Sequence, residues 1–118
     1  MTNASIDGFY AAYMSGKQGL GFAMLVFRKG RITGADAAGV MFDGQYSNAA
    51  SDVILIEISV KAPPNTPLIQ GGTTGPQGEE GQLQFQVPLD FSAQKFVRIE
   101  TQRGPINVKL NKLRELDE

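Results

Sequence analysis

The chain has 118 residues, 42% hydrophobic and 19% charged, with 11 basic and 12 acidic side chains for a formal net charge of −1. That length suits a single domain, 1–118, and the scattered charge lacks the positive footprint with which a direct nucleic-acid binder neutralises phosphates. No cysteine and no histidine occur, which excludes disulfides, thiolate metal sites, a cysteine nucleophile, the Ser-His-Asp triad and the commonest zinc ligand.

The opening MTNASIDGFY has no basic segment followed by an apolar one, so it does not read as a secretory signal. The longest apolar run, Phe22 to Phe27, is too short to span a bilayer as a helix. Cytoplasmic residence without a membrane partner is the expectation. From Asp7 to Ser47 four short apolar runs alternate with glycine-bearing turns, leaving no room for the crossover that parallel strands need. Strands are expected near 7–14, 20–28 and 31–36, with Arg28-Lys29-Gly30-Arg31 as a hairpin turn.

Asp43-Gly44 is a second hairpin cue and divides a strand at 40–43 from one at 45–47 that resumes, after a short loop, at 52–61. The next stretch, Lys61 to Gly81, reads KAPPNTPLIQGGTTGPQGEEG and fits no regular strand or helix; a connection of this length is either a binding loop or a surface insertion. Gln82-Leu83-Gln84-Phe85-Gln86-Val87 then alternates strictly, as one wet and one buried face require, and further strands follow at 95–102 and 105–111. Leu110, Leu113 and Leu116 stand three apart, the spacing of a short C-terminal helical turn, although a charged tail fits equally.

About eight short antiparallel strands make an all-β domain, either a sandwich or an up-and-down barrel. The barrel is favoured because closure removes exposed edges and because Gly19, Gly21, Gly34, Gly39 and Gly44 permit sharp bends in or beside strands. Gly16-Lys17 fails the phosphate-loop pattern, with Ala11 and Gln18 at the decisive positions, and Gly16-x-x-Gly19-x-Gly21 leads into a strand where a dinucleotide site needs a helix. Asp36, Asp43, Asp52, Glu57 and Glu100 show no acid–base spacing. No catalytic residue, cofactor or metal ligand is therefore assigned. Tyr10, Tyr13, Phe22, Met24 and Phe85 are candidates to line a cavity for a small apolar ligand, or else are simply core.

Asp7-Gly8-Phe9-Tyr10, Gly19-Leu20-Gly21 with its hydrophobic strand, Arg31-Ile32-Thr33-Gly34-Ala35-Asp36 and Gly44-Gln45-Tyr46 together resemble, in order and spacing over residues 7–60, the GrlR-type family of negative regulators of type III secretion. The resemblance implies a lipocalin-like barrel, a homodimer, and regulation by binding a protein partner, a helix-turn-helix transcriptional activator that itself handles the DNA. The family's characterised member carries an acidic Glu-Asp-Glu-Asp loop, and the matching stretch here is Ser47-Asn48-Ala49-Ala50-Ser51-Asp52, with Asp52 its one acidic side chain. Ser47, Asn48, Ser51 and Asp52 are accordingly the candidate partner-binding loop. Without that charge the partner's identity does not carry over with the fold.

Overall fold

The computed structural model describes residues 6–91 and 96–116. Eight strands form one antiparallel sheet: β1 (Gly8–Gly16), β2 (Gly19–Arg28), β3 (Arg31–Asp36), β4 (Met41–Ala50), β5 (Val53–Ala62), β6 (Glu79–Pro88), β7 (Val97–Ile99) and β8 (Ile106–Arg114). Their order is β6-β5-β4-β3-β2-β1-β8-β7, an up-and-down meander in which β8 returns to pair with β1. The sheet curls into a nearly closed barrel whose seam lies between the ten-residue β6 and the three-residue β7. The sandwich alternative falls, and no α-helix occurs among the described residues.

Turn chemistry sets much of this register. Lys29 and Gly30 take φ of 50° and 84°, the pair of positive values that a two-residue hairpin matched to strand twist requires, and Arg28 pairs with Arg31 across it. The expected turn at Asp43-Gly44 does not form. β4 runs through it, with Asp43 paired to Thr33 on one side and Ser59 on the other. Glycine serves a different purpose there: a Cβ on Gly44 would overlap the Glu57 carbonyl oxygen and lie 2.9 Å from Ile58 Cα. The turn falls instead at Ser51-Asp52, where Asp52 adopts φ 63°.

The expected C-terminal helical turn is also replaced by strand, since β8 continues to Arg114. Ile106, Val108 and Leu110 follow a period of two and are buried, whereas Leu113 sits where the β1–β8 register shifts and is 50% exposed. Residue 95, the expected start of the seventh strand, lies outside the described residues.

Alternation along the strands directs Tyr10, Phe27 and Tyr46 inward at the end of the barrel where the 28–31 and 50–53 turns lie, and Phe91 joins them. Ring centroids are 4.6 Å apart for Tyr10–Phe27, 5.2 Å for Phe27–Tyr46 and 5.6 Å for Tyr10–Phe91. Their polar tips find partners: Tyr10 O–H donates to the Ile6 carbonyl at 2.6 Å, Tyr46 O–H donates to Asp7 Oδ1, and Lys29 N–H donates to Asp7 Oδ2 at 3.2 Å. This aromatic plug closes one end. Burial pushes the Tyr10 hydroxyl well above its ordinary range, while burial and then the bond to Asp7 push Tyr46 up to about 12.

Candidate functional site

The same strands empty the other end. Reading from the closed end, inward positions shrink along β2 from Phe27 through Leu25 and Ala23 to Gly21, and along β5 from Ile54, Ile56 and Ile58 to Val60 and Ala62. On β6 the apolar series Val87, Phe85 and Leu83 gives way to Gly81. Small side chains cannot fill a barrel of eight strands, so a cavity of about 420 Å³ opens where the 16–19, 36–41, 62–79 and 99–106 connections gather. Met14, Phe42, Leu83 and Ile106 form its floor and also line a wholly apolar pocket of about 60 Å³ that runs deeper into the barrel.

The long 62–79 connection roofs this cavity. It is a folded flap without a regular strand or helix, and it lines the cavity. Pro67 and Thr73 form a β-bridge, Thr74 N–H donates to the Thr66 carbonyl at 2.9 Å, and the Thr74 hydroxyl donates to the Pro63 carbonyl at 2.6 Å. Both threonines are buried. At its tip Ile69 packs against the core, and the Ile69 carbonyl accepts from Gln18 N–H at 2.8 Å. That seat depends on the bare backbone of Gly16, where a Cβ would come within 2.5 Å of the Ile69 oxygen. The Gly16-Gly19-Gly21 cluster thus provides the flap's resting place.

Three charged side chains line the cavity: Asp36, Glu79 and Arg103. Asp36 Oδ1 accepts from Ala38 N–H at 2.9 Å and Val40 N–H at 3.0 Å, ordering the β3–β4 turn. Arg103 grips Glu79 with two parallel bonds, Nε to Oε2 at 2.8 Å and Nη2 to Oε1 at 2.6 Å. These bonds hold the Glu79 carboxyl below its ordinary value. Neutral polar groups complete the mouth, with Gln70 Nε2 donating to Thr101 Oγ1 at 3.2 Å and Gln102 beside it.

The sequence candidates for the cavity divide. Phe85 lines the deeper pocket, and Phe22 stands at the rim while remaining 47% exposed. Tyr10 points inward but belongs to the aromatic plug. Tyr13 and Met24 are corrected outright, since they face outward at 49% and 39% exposure, one strand position out of phase with the interior. Val60, Ala62, Gly81, Leu83 and the flap were missed, although the taper from large to small residues was their signal. Ser47 and Asn48, expected in a loop, lie on exposed β4, and Ser51 and Asp52 form the β4–β5 turn at the closed end, away from the cavity mouth.

Outside the barrel, Tyr13, Phe22, Met24 and Met41 form an apolar stripe. Cross-strand pairing of Tyr13 with Phe22, of Met24 with Ala35, and of Ala35 with Met41 makes it continuous over β1 to β4. The carboxylates have structural ties: Glu57 accepts from Gln45, and Glu100 pairs with Arg98 at 2.9 Å. Among the described residues no cluster of three or more His, Cys, Asp or Glu is placed to hold a metal, and no helix is long and apolar enough to cross a membrane. A scan against protein-family models finds no match, and a search of curated proteins finds no matching relative.

Proposed function

We propose that this chain is a non-enzymatic binding barrel whose cavity receives a small apolar molecule through the mouth beneath the 62–79 flap. The observation that carries this reading is the combination of about 420 Å³ of space, an apolar floor and a mouth with a few polar groups, the usual build of a small-molecule site. Gly81 offers a direct test, because a Cβ there meets nothing within 4 Å and a large side chain can grow into the cavity without a clash at its base. Fluorescence titration with N-phenylnaphthylamine is expected to show saturable binding to the native protein and at least about a tenfold weakening in Gly81→Trp. Equal binding by a folded Gly81→Trp variant would refute the assignment.

The exposed stripe supports a second, compatible activity: a cytoplasmic homodimer that regulates by binding a protein partner, as GrlR-type regulators do. Tyr13 and Phe22 rings stand 5.3 Å apart there, and contiguous exposed apolar surface of this kind marks interaction sites. Light scattering at high micromolar concentration is expected to give a dimer mass that falls to monomer in Met24→Lys. A monomer mass for the native protein would reject the dimer.

A further inference from the structure

The charges at the mouth select among the apolar molecules that the cavity can hold, an argument that rests on the binding reading above. Arg103 is the sole cationic side chain among the described lining residues, and its fork is already engaged: Nε and Nη2 bind Glu79, while Nη1 lies beside Gly72 of the flap. With Asp36 and Glu79 counted, the mouth carries one net negative charge. A carboxylate or phosphate entering head-out would meet that negative field without a free cation, and an ionised group brought into a partly desolvated mouth is disfavoured unless paired.

The groups left to recognise a head are amides. Gln70 spends one N–H on Thr101, leaving its carbonyl oxygen, and Gln102 lines the same rim. Amides both donate and accept, so they complement a head that does the same. The volume bounds the ligand: about 420 Å³ lies towards the lower end of the roughly 300–1,000 Å³ of small-molecule sites, which favours a short or medium chain over a long one.

We infer that the cavity takes a single-chain amphiphile of medium length with a hydrogen-bonding head that bears no negative charge, and that Glu79, by occupying Arg103, is the residue that excludes acids. Glu79 is a specificity-determining residue in this scheme. Its removal would free a guanidinium fork whose geometry suits a carboxylate.

The test is displacement of N-phenylnaphthylamine by decanamide and decanoate at about pH 8, at fixed ionic strength and below aggregation of the competitors. Decanamide is expected to bind about tenfold or more tightly than decanoate. In Glu79→Gln, decanoate should gain about tenfold while decanamide stays within about threefold, and the gain should shrink as salt rises. Arg103→Met should show no such gain, separating a freed cation from a merely loosened flap. Decanoate binding as tightly as decanamide to the native protein, or an unchanged acid-to-amide ratio in Glu79→Gln, overturns the inference. If the probe itself fails to bind, the cavity reading falls with it; if the probe binds and selectivity is absent, only the head-group assignment fails.

Discussion

Replacing Phe27 and Phe42 in turn by alanine separates the packed end of the barrel from the open one. Phe27 is 1% exposed and rings from Tyr10, Tyr46 and Phe91 surround it at 4.6, 5.2 and 5.9 Å. Truncation there loses the transfer free energy of the ring and leaves a hole that three rigid neighbours cannot close, so the cost should be about 3–5 kcal/mol. Phe42 is only half-buried and borders the cavity, so one side of its ring already lacks contacts to lose. Its removal should cost about 1–2 kcal/mol, a fraction of the roughly 1.5–3 kcal/mol for burying a whole Phe. The total stability of a chain of 118 residues is about 6–18 kcal/mol, so Phe27→Ala removes a large share and Phe42→Ala a small one. Urea unfolding followed by far-UV circular dichroism resolves the difference: at a slope of about 1.5 kcal/mol/M the midpoint should fall by roughly 2–3 M for Phe27→Ala and by about 0.7–1.3 M for Phe42→Ala. Phe42→Ala, a change to the cavity floor, should also alter the affinity for N-phenylnaphthylamine. Equal midpoint shifts would mean that the floor is packed as densely as the plug, and the argument for an open end would fail.

Gly44→Ala should destabilise by more than about 3 kcal/mol or prevent folding, because its Cβ would overlap the Glu57 carbonyl, whereas Gly81→Ala should be neutral or stabilise by up to about 1 kcal/mol; thermal melts compare the two. The tyrosine shifts give an alkaline limit. Tyr46 is raised from 10.0 to about 12, so its protonated form is favoured by folding, and the stability it contributes is complete below about pH 10 and lost as pH rises towards 12. Urea midpoints for Tyr46→Phe should start lower at neutral pH and decline less steeply above about pH 10; parallel declines would contradict the linkage. At the β4–β5 turn, Asp52→Gly should gain about 0.5–1 kcal/mol in urea titrations by relieving φ 63° in a residue with a Cβ.

Local chemistry made most of the sheet legible. Lys29-Gly30 could form few turns other than the one observed, and the Gln-Leu-Gln-Phe-Gln-Val alternation on β6 declares its wet and dry faces without help from the rest of the chain. Asp43-Gly44 misleads for a definable reason: a glycine that permits a turn and a glycine that permits two backbones to touch look alike until the neighbouring strand is in place. The misplacement of Tyr13 and Met24 has another cause. Phe22 to Phe27 is apolar at every position, so period two offers no sign of which set faces inward, and on β1 Ala11 and Tyr13 are as hydrophobic as Tyr10 and Ala12. Turn pairing with β1 and β3 resolves it, and that register is a property of three strands together.

Stability and binding draw on opposite ends of the same strands, and this division explains why one short chain can support a cavity at all. A domain of this size has little apolar surface to spare, and an unfilled space of about 420 Å³ in its centre would forfeit contacts from every side. Grading β2 from Phe27 to Gly21 and β5 from Ile54 to Ala62 concentrates the large side chains where Asp7 and Ile6 also tether the two tyrosine hydroxyls, leaving the void at a rim already bordered by solvent. The flap then covers that rim with its own hydrogen bonds, Thr66 to Thr74 within it and Gln18 to Ile69 at its tip, so the mouth is shaped without large residues from the strands below. Changes to cavity residues should therefore alter what is bound while leaving the fold intact, and changes to the plug should do the reverse.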